Sequence, residues 1–136
     1  MDAVLGFFKN DRFARLAGIS LVEVSPGYSK VKLNVTPEHK NGAGTVHGGA
    51  LFTLADFAFA VASNSHGILA VAATAHISFL RAVTEGTLTA EAREVGVRRK
   101  LGTYAVEIKN DQGELVALFS GTAYRKGTPL EAESLG

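Results

Sequence analysis

Asn41, Gly48 and Asp56 are the residues of this chain best placed to do chemistry. They stand seven and eight positions apart in the run Asn41-Gly-Ala-Gly-Thr-Val-His47-Gly48-Gly49-Ala-Leu-Phe-Thr-Leu-Ala-Asp56. The glycines after His47 open a long apolar stretch that reads as a helix. The first backbone N–H groups of a helix have no intrahelical acceptor and, with the helix dipole behind them, favour developing negative charge. Gly48 has no side chain, so a ligand can approach its N–H closely. A carboxylate in an apolar helix is costly unless something makes use of it. The pattern therefore predicts a donor for an oxyanion at Gly48 and a base or nucleophile at Asp56.

The spacing of these two groups carries a further expectation. Asp56 lies about 12 Å along the helix axis from Gly48, at 1.5 Å per residue. The two cannot readily serve one carbonyl group within a single chain. A site that uses both takes Asp56 from a second subunit whose helix runs antiparallel, so the spacing favours a homodimer with shared active sites.

The elements that must position these residues can be read from the pattern. Asp2 is placed to cap a first helix running to about Leu16, which Gly18 ends. Ile19 to Val24 reads as a short strand and Ser25-Pro26-Gly27 as a turn. Val31, Leu33 and Val35 alternate with Lys30, Lys32 and Asn34, the signature of a half-buried strand. Residues 36–46 are irregular. The helix from about Gly48 to Ser65 is apolar nearly all round and must be covered on most sides. Strands are expected over residues 68–83, 87–97, 103–109 and 115–125, with Asn110-Asp111-Gln112-Gly113 as a hairpin turn. The tail from Gly127 has little to bury and is expected to fray. The result is one domain, residues 1–136, in which a central helix precedes an antiparallel meander, an α+β arrangement.

Composition narrows the function classes. The net charge is +1, from 14 Lys and Arg against 13 Asp and Glu, so no overall basic field argues for nucleic acid. The absence of cysteine excludes a thiol nucleophile and cysteine-held metal, and fits a cytoplasmic location. The opening MDAVLGFFKNDRF carries charges within its apolar stretch, so no signal peptide is expected. Residues 57–80 hold no Asp, Glu, Lys or Arg, but Ser63-Asn64-Ser65-His66-Gly67 divides them into a buried helix and a buried strand rather than a membrane span.

A long buried helix wrapped by an antiparallel sheet resembles the hotdog fold over residues 13–125. Within it, Asn41, Gly48 of His-Gly-Gly and Asp56 match the spacing of the PaaI-type acyl-CoA thioesterases, and Thr74 falls where related enzymes carry a Ser or Thr that helps place the attacking water. The resemblance implies hydrolysis of acyl- or aryl-acyl-coenzyme A thioesters, phenylacetyl-coenzyme A and its hydroxylated relatives among them. Coenzyme A is then part of the substrate, and neither a metal nor a bound cofactor is needed. It also implies shared sites in a homodimer and assembly into a tetramer. Gly48 would hold the thioester oxygen, Asp56 would activate water or attack, Asn41 would position substrate or water, and Thr74 would assist.

Each residue also has a plainer reading. Phe52, Thr53, Phe59 and Ala60 surround Asp56 at helical spacing, which argues against a solvated surface carboxylate. Asn41-Gly42 is a common turn dipeptide. His47 and Gly49 are assigned to substrate binding, with His47 read as a helix cap or a group that positions the loop in preference to a direct catalytic role. Arg98, Arg99 and Lys100 form the densest basic run: either a soluble hairpin tip or an anchor for the coenzyme A phosphates, a task that Arg81 or Lys126 could share. His66 and His76 read as structural, and the histidines show no metal-ligand spacing. Phe52, Phe57 and Phe59 fill the core or line a ring pocket. Two other functions remain open: a hotdog dehydratase or hydratase using His47 with Asp56, and an acyl-coenzyme A sensor without catalysis.

Overall fold

A helix that is apolar on most faces dictates the architecture, because the sheet must curl around it. The computed structural model describes residues 1–130. Its elements are α1 (Asp2–Lys9), α2 (Arg12–Ala17), β1 (Ile19–Ser25), β2 (Tyr28–Asn34), a 3₁₀ turn (Pro37–His39), α3 (Gly48–Asn64), β3 (Ile68–Phe79), β4 (Thr87–Arg98), β5 (Leu101–Lys109) and β6 (Leu115–Pro129). One six-stranded antiparallel sheet, in the order β1-β2-β4-β5-β6-β3, wraps α3. This is the hotdog fold anticipated from the sequence.

The inward positions alternate along each strand, as a sheet with one packed face requires. Val31 and Leu33, Leu88, Ala90 and Ala92, Tyr104, Val106 and Ile108, and Phe119 and Ala123 are all buried. They meet Leu51, Leu54, Ala55, Ala58, Val61 and Ala62 of α3. One glycine is there for space: a Cβ on Gly121 of β6 would stand 2.9 Å from the Phe59 ring.

The polar cluster after α3 ends the helix as expected and also ties down the segments around it. The buried Asn64 side chain donates to Ala60 O at 2.8 Å and Ala70 O at 3.1 Å, and accepts from Ala70 N at 2.8 Å. Ser65 Oγ accepts from Gly27 N at 2.7 Å. His66 pairs with Glu94 at 2.8 Å. Burial pushes the Glu94 carboxyl up, but hydrogen bonds from His66 and Tyr104 outweigh it and hold the group below its usual range.

Four expectations need correction. The N-terminal segment is two helices, because the Asp11 side chain accepts from Ala14 N and starts a new helix. Met1, not Asp2, occupies the cap position of α1, without a side-chain bond. The strands after α3 are not a simple meander: β4, β5 and β6 are, but β3 pairs with β6. With α3 to be enclosed, β3 takes one flank and β2–β4 the other, and residues 80–86 cross between them, with Val83 buried and its carbonyl accepting from Val46 N. The tail is ordered beyond Gly127: β6 continues to Pro129, which pairs with Ile68, and Leu130 is buried with its N–H on Gly67 O. The rest of the expected frayed segment, residues 131–136, lies outside the described residues.

The sheet has two free edges. β1 is seven residues long and broken by a bulge at Leu21/Glu23. β3 is twelve residues long, reads ILAVAATAHISF and carries no charge or proline, and residues 71–76 are exposed on both faces. β3 has register shifts of its own, at Ile68/Ala70 and Ala72/Thr74, but a long apolar edge without charged residues or proline is still a template for pairing with another strand. No helix among the described residues is long and apolar enough to cross a membrane.

Candidate active site

The N-terminus of α3 leaves one donor free. His47 is the N-cap, and its Nδ1 accepts from Gly49 N at 2.8 Å. Its carbonyl accepts from Ala50 N at 2.9 Å and Leu51 N at 3.2 Å. Among the described residues, the Gly48 N–H alone in this first turn has no acceptor. His47 therefore does the capping, and Gly49 gives its N–H to that cap. Phe79, at the end of β3, lies over Gly48: a Cβ there would stand 3.2 Å from the ring.

Asp56 sits eight residues on, two helical turns away, on the least covered stripe of α3, formed by Gly49, Phe52, Thr53, Asp56 and Ala60. It is half-buried, and among the described residues no cation pairs with it. Burial pushes its carboxyl above the usual 3.8, and the charge of Asp11 at the start of α2 adds to the rise. A raised carboxyl pKa without a cation to relieve it is the environment of a working base.

The other candidates are placed less directly. Asn41 spends its side chain on its own loop: Oδ1 accepts from Ala43 N at 3.0 Å and Thr45 N at 3.1 Å, and Nδ2 donates to Thr45 Oγ1 at 2.9 Å. This is the turn reading of Asn41-Gly42, and it shapes the approach to His47. Thr74 is exposed on the β3 edge beside a bulge, opposite Thr122, and no hydrogen bond joins it to Asp56 within the chain. Arg98, Arg99 and Lys100 form the β4–β5 tip, where Arg99 adopts φ 57°. They line an open cleft of about 540 Å³ with Leu101 and Tyr124. None of the three is in an ion pair among the described residues, whereas Arg81 is held by Glu114 at 3.1 Å.

The aromatic side chains divide. Phe57 and Phe59 are buried, Phe57 edge-on to Phe8 and Phe59 against Tyr104 and Phe119, while Phe52 is partly exposed against Phe119. Phe57 also lines a cleft of about 650 Å³ between the N-terminal helices and β1. A second cleft, of about 910 Å³, opens beside the start of α3, between Phe13 and Leu16 of α2 and His39, His47, Gly49 and Thr53. No group of three or more His, Asp and Glu among the described residues could hold a metal ion.

Two residues escaped the sequence reading. Asp11 reaches Asp56 only through the fold. His39 did have a signal: Thr36-Pro-Glu-His39 has the spacing of a capping box, with His in the place of the usual Glu.

Comparison with known proteins puts this geometry in context. The family model described as the thioesterase superfamily matches residues 43–117. The chain is 41% identical over 128 residues to the acyl-coenzyme A thioesterase PaaI of Escherichia coli, covering 93% of this chain and 91% of that protein. The solved structure of E. coli PaaI, from the phenylacetic acid degradation operon, superposes with a TM-score of 0.90, covering 94% of each chain at 40% identity. A Streptococcus mutans protein solved with bound acetyl-CoA matches with a TM-score of 0.78 at 28% identity, over 82% of this chain and 90% of that one.

Proposed function

Since this chain belongs to the thioesterase superfamily, we propose that it hydrolyses acyl-coenzyme A thioesters to free acid and coenzyme A. The observation that carries the reading is the pairing, among the described residues, of one unclaimed helix-start N–H, at Gly48, with one half-buried carboxylate lacking a cation, at Asp56. The Gly48 N–H receives the thioester oxygen as it gains charge. Ionised Asp56 takes a proton from water, whose oxygen attacks the carbonyl carbon, or it attacks the carbon itself, in which case the mixed anhydride left after C–S cleavage is hydrolysed by water to the free acid and Asp56. Collapse of the tetrahedral intermediate breaks the C–S bond, and the thiolate leaves as coenzyme A and takes up a proton. Asn41 shapes the loop on which the substrate rests, and Thr74 assists at Asp56. Coenzyme A enters as part of the substrate and leaves as a product, and is not held as a cofactor.

The names of the E. coli relative and its operon support aryl-acyl substrates such as phenylacetyl-coenzyme A. A screen of thiol release from aryl, short and long acyl-coenzyme A thioesters tests this, and no turnover on any of them would remove the proposal. A dehydratase or a silent sensor would release no thiol.

The working unit is a homodimer joined at β3. Its bare edge offers unpaired backbone groups to the same strand of a second copy, and pairing two identical edges is the symmetric way to cover them. It would also bring the uncovered stripe of α3, with Asp56, under the partner. Each site would then join Gly48 of one chain to Asp56 of the other. Mixing inactive Asp56→Ala and Gly48→Pro chains after reversible unfolding is expected to restore activity. In the mixed dimer one of the two sites receives both an intact Gly48 and an intact Asp56. Confirmed mixed dimers that remain as inactive as the parents would refute sharing between chains.

Arg98, Arg99 and Lys100 are suited to the coenzyme A phosphates because, among the described residues, no carboxylate forms an ion pair with them. Arg98→Ala/Arg99→Ala is expected to raise KM more than it lowers kcat, since the contact is made in ground and transition states alike. The effect should fade in 1 M salt, where the screening length is about 3 Å, and with a pantetheine thioester that lacks the nucleotide. Equal losses on full and truncated substrates would leave the cluster as a hairpin tip only.

A further inference from the structure

We propose that His39 is a positioning residue for this hydrolysis: it clasps α2 to the loop that sets the Gly48 N–H. The inference rests on the reading of Gly48 as the oxyanion donor. The His39 ring is bonded at both nitrogens. Nδ1 accepts from Thr36 N at 2.9 Å, and Nε2 meets Ala17 O at 2.6 Å. A backbone amide only donates and a carbonyl only accepts, so the proton must be on Nε2. Ala17 is the last residue of α2, and its carbonyl is one of those a helix end leaves without a partner. The His39 ring supplies that partner from 22 residues away.

The main chain of His39 carries the constraint onward. Its carbonyl accepts from His47 N at 2.7 Å. His47 is the cap whose Nδ1 takes the Gly49 N–H and whose carbonyl takes those of Ala50 and Leu51. A path therefore runs from Ala17 O to His39 Nε2, along His39 to its carbonyl, and on to the residue immediately before Gly48, while Nδ1 ties the ring to Thr36 at the side. Val46 N on Val83 O pins the same loop from the other side. The loop has no sheet of its own beyond one bridge, Lys40 to Val46, so these few bonds decide where its end lies. His39 and His47 also line the same cleft as Gly49.

An oxyanion donor tolerates little displacement, and about 1 Å of misplacement costs on the order of 10²-fold in rate. His39→Ala is therefore expected to lower kcat by about 10- to 100-fold while moving KM by less than about threefold. Two conservative variants separate the halves of the clasp. In His39→Asn the side-chain oxygen can take the place of Nδ1 on Thr36; in His39→Gln the side-chain nitrogen can reach toward Ala17 in the place of Nε2. Each is expected to recover part of kcat. Amide hydrogen exchange at His47 and Gly49, expected to speed up in His39→Ala, reads the clasp without any substrate. Folded His39→Ala with wild-type kcat and unchanged exchange would overturn the proposal. So would a loss of kcat that tracks only the unfolded fraction, with no recovery in either conservative variant. If the wild-type chain turns over no thioester, the functional reading fails, and the exchange experiment still decides whether the clasp exists.

Discussion

Asp56→Ala is expected to fold, to associate as the wild type does, and to lose thioester hydrolysis by about 10²–10⁴-fold, the usual cost of removing a catalytic base. The side chain lies on the uncovered stripe of α3 and makes no ion pair among the described residues. Its removal therefore leaves no buried cation without a partner. Asp56→Asn keeps the shape and removes only the charge, so it should be about as inactive. Turnover near wild type in either variant, on the best substrate found, would take Asp56 out of the mechanism.

The raised carboxyl pKa gives this residue two opposite pH signatures. Burial first, and Asp11 second, disfavour its ionised form in the folded chain. Activity needs that ionised form, so the acid limb of the kcat/KM profile should lie above the ordinary carboxylate range, and Asp11→Asn should move it down. Stability runs the other way. With a folded pKa above the unfolded 3.8, Asp56 contributes stability that is fully present below 3.8 and lost as pH rises through the folded value. At neutral pH the ionised group is a net cost to the fold. Asp56→Asn should therefore melt above the wild type at pH 7, and the gap should close as the solution is acidified. An inactive variant that is also the more stable one is what a functional rather than a structural carboxylate predicts.

Local signals separate the features that the sequence disclosed from those that it withheld. The bounds of α3 were legible because a capping His, two glycines and a terminal Ser-Asn-Ser cluster are such signals. β2 was legible because Val31 and Leu33 alternate with Lys30, Lys32 and Asn34, and β3 because its run is rich in Ala, Val and Ile. The pairing of β3 with β6 was not, since local pattern gives strands but not their order, and order here is imposed by the need to enclose α3. The split at Asp11 was missed because it rests on a single side-chain cap, Asp11 on Ala14 N, within a segment that reads as one helix. At the site, Gly48 and Asp56 could be read from type and spacing. The state of Gly48 could not: that Gly49, Ala50 and Leu51 all give their N–H groups to His47 is a matter of ring orientation and loop path. Asn41 shows the converse, a motif residue whose side chain the fold engages within its own turn.

Gly48→Pro is the sharpest test of the oxyanion assignment, because it deletes one hydrogen-bond donor and little else. Proline is favoured at the first position of a helix, where the missing N–H had no intrahelical partner. His47, just before it, has φ −61° and ψ 138°, the extended conformation that a residue preceding proline prefers. The Gly49, Ala50 and Leu51 N–H groups keep their acceptors on His47, so the helix should start as before. The cost is steric: a Cβ at this position stands 3.2 Å from the Phe79 ring, which is half exposed and can swing away. Gly48→Ala carries the same Cβ but keeps the N–H, and so measures that cost alone. Loss of one oxyanion-hole donor typically lowers kcat by about 10²–10³-fold. The expectation is therefore a deep loss of kcat in Gly48→Pro, a shallow one in Gly48→Ala, and similar melting temperatures in the two. Were both variants equally impaired, the space beside Phe79 rather than the N–H would be what the reaction needs. Were Gly48→Pro fully active, the thioester oxygen would have to be held by some other donor, and the reason for a glycine at the head of this helix would lie in packing against Phe79.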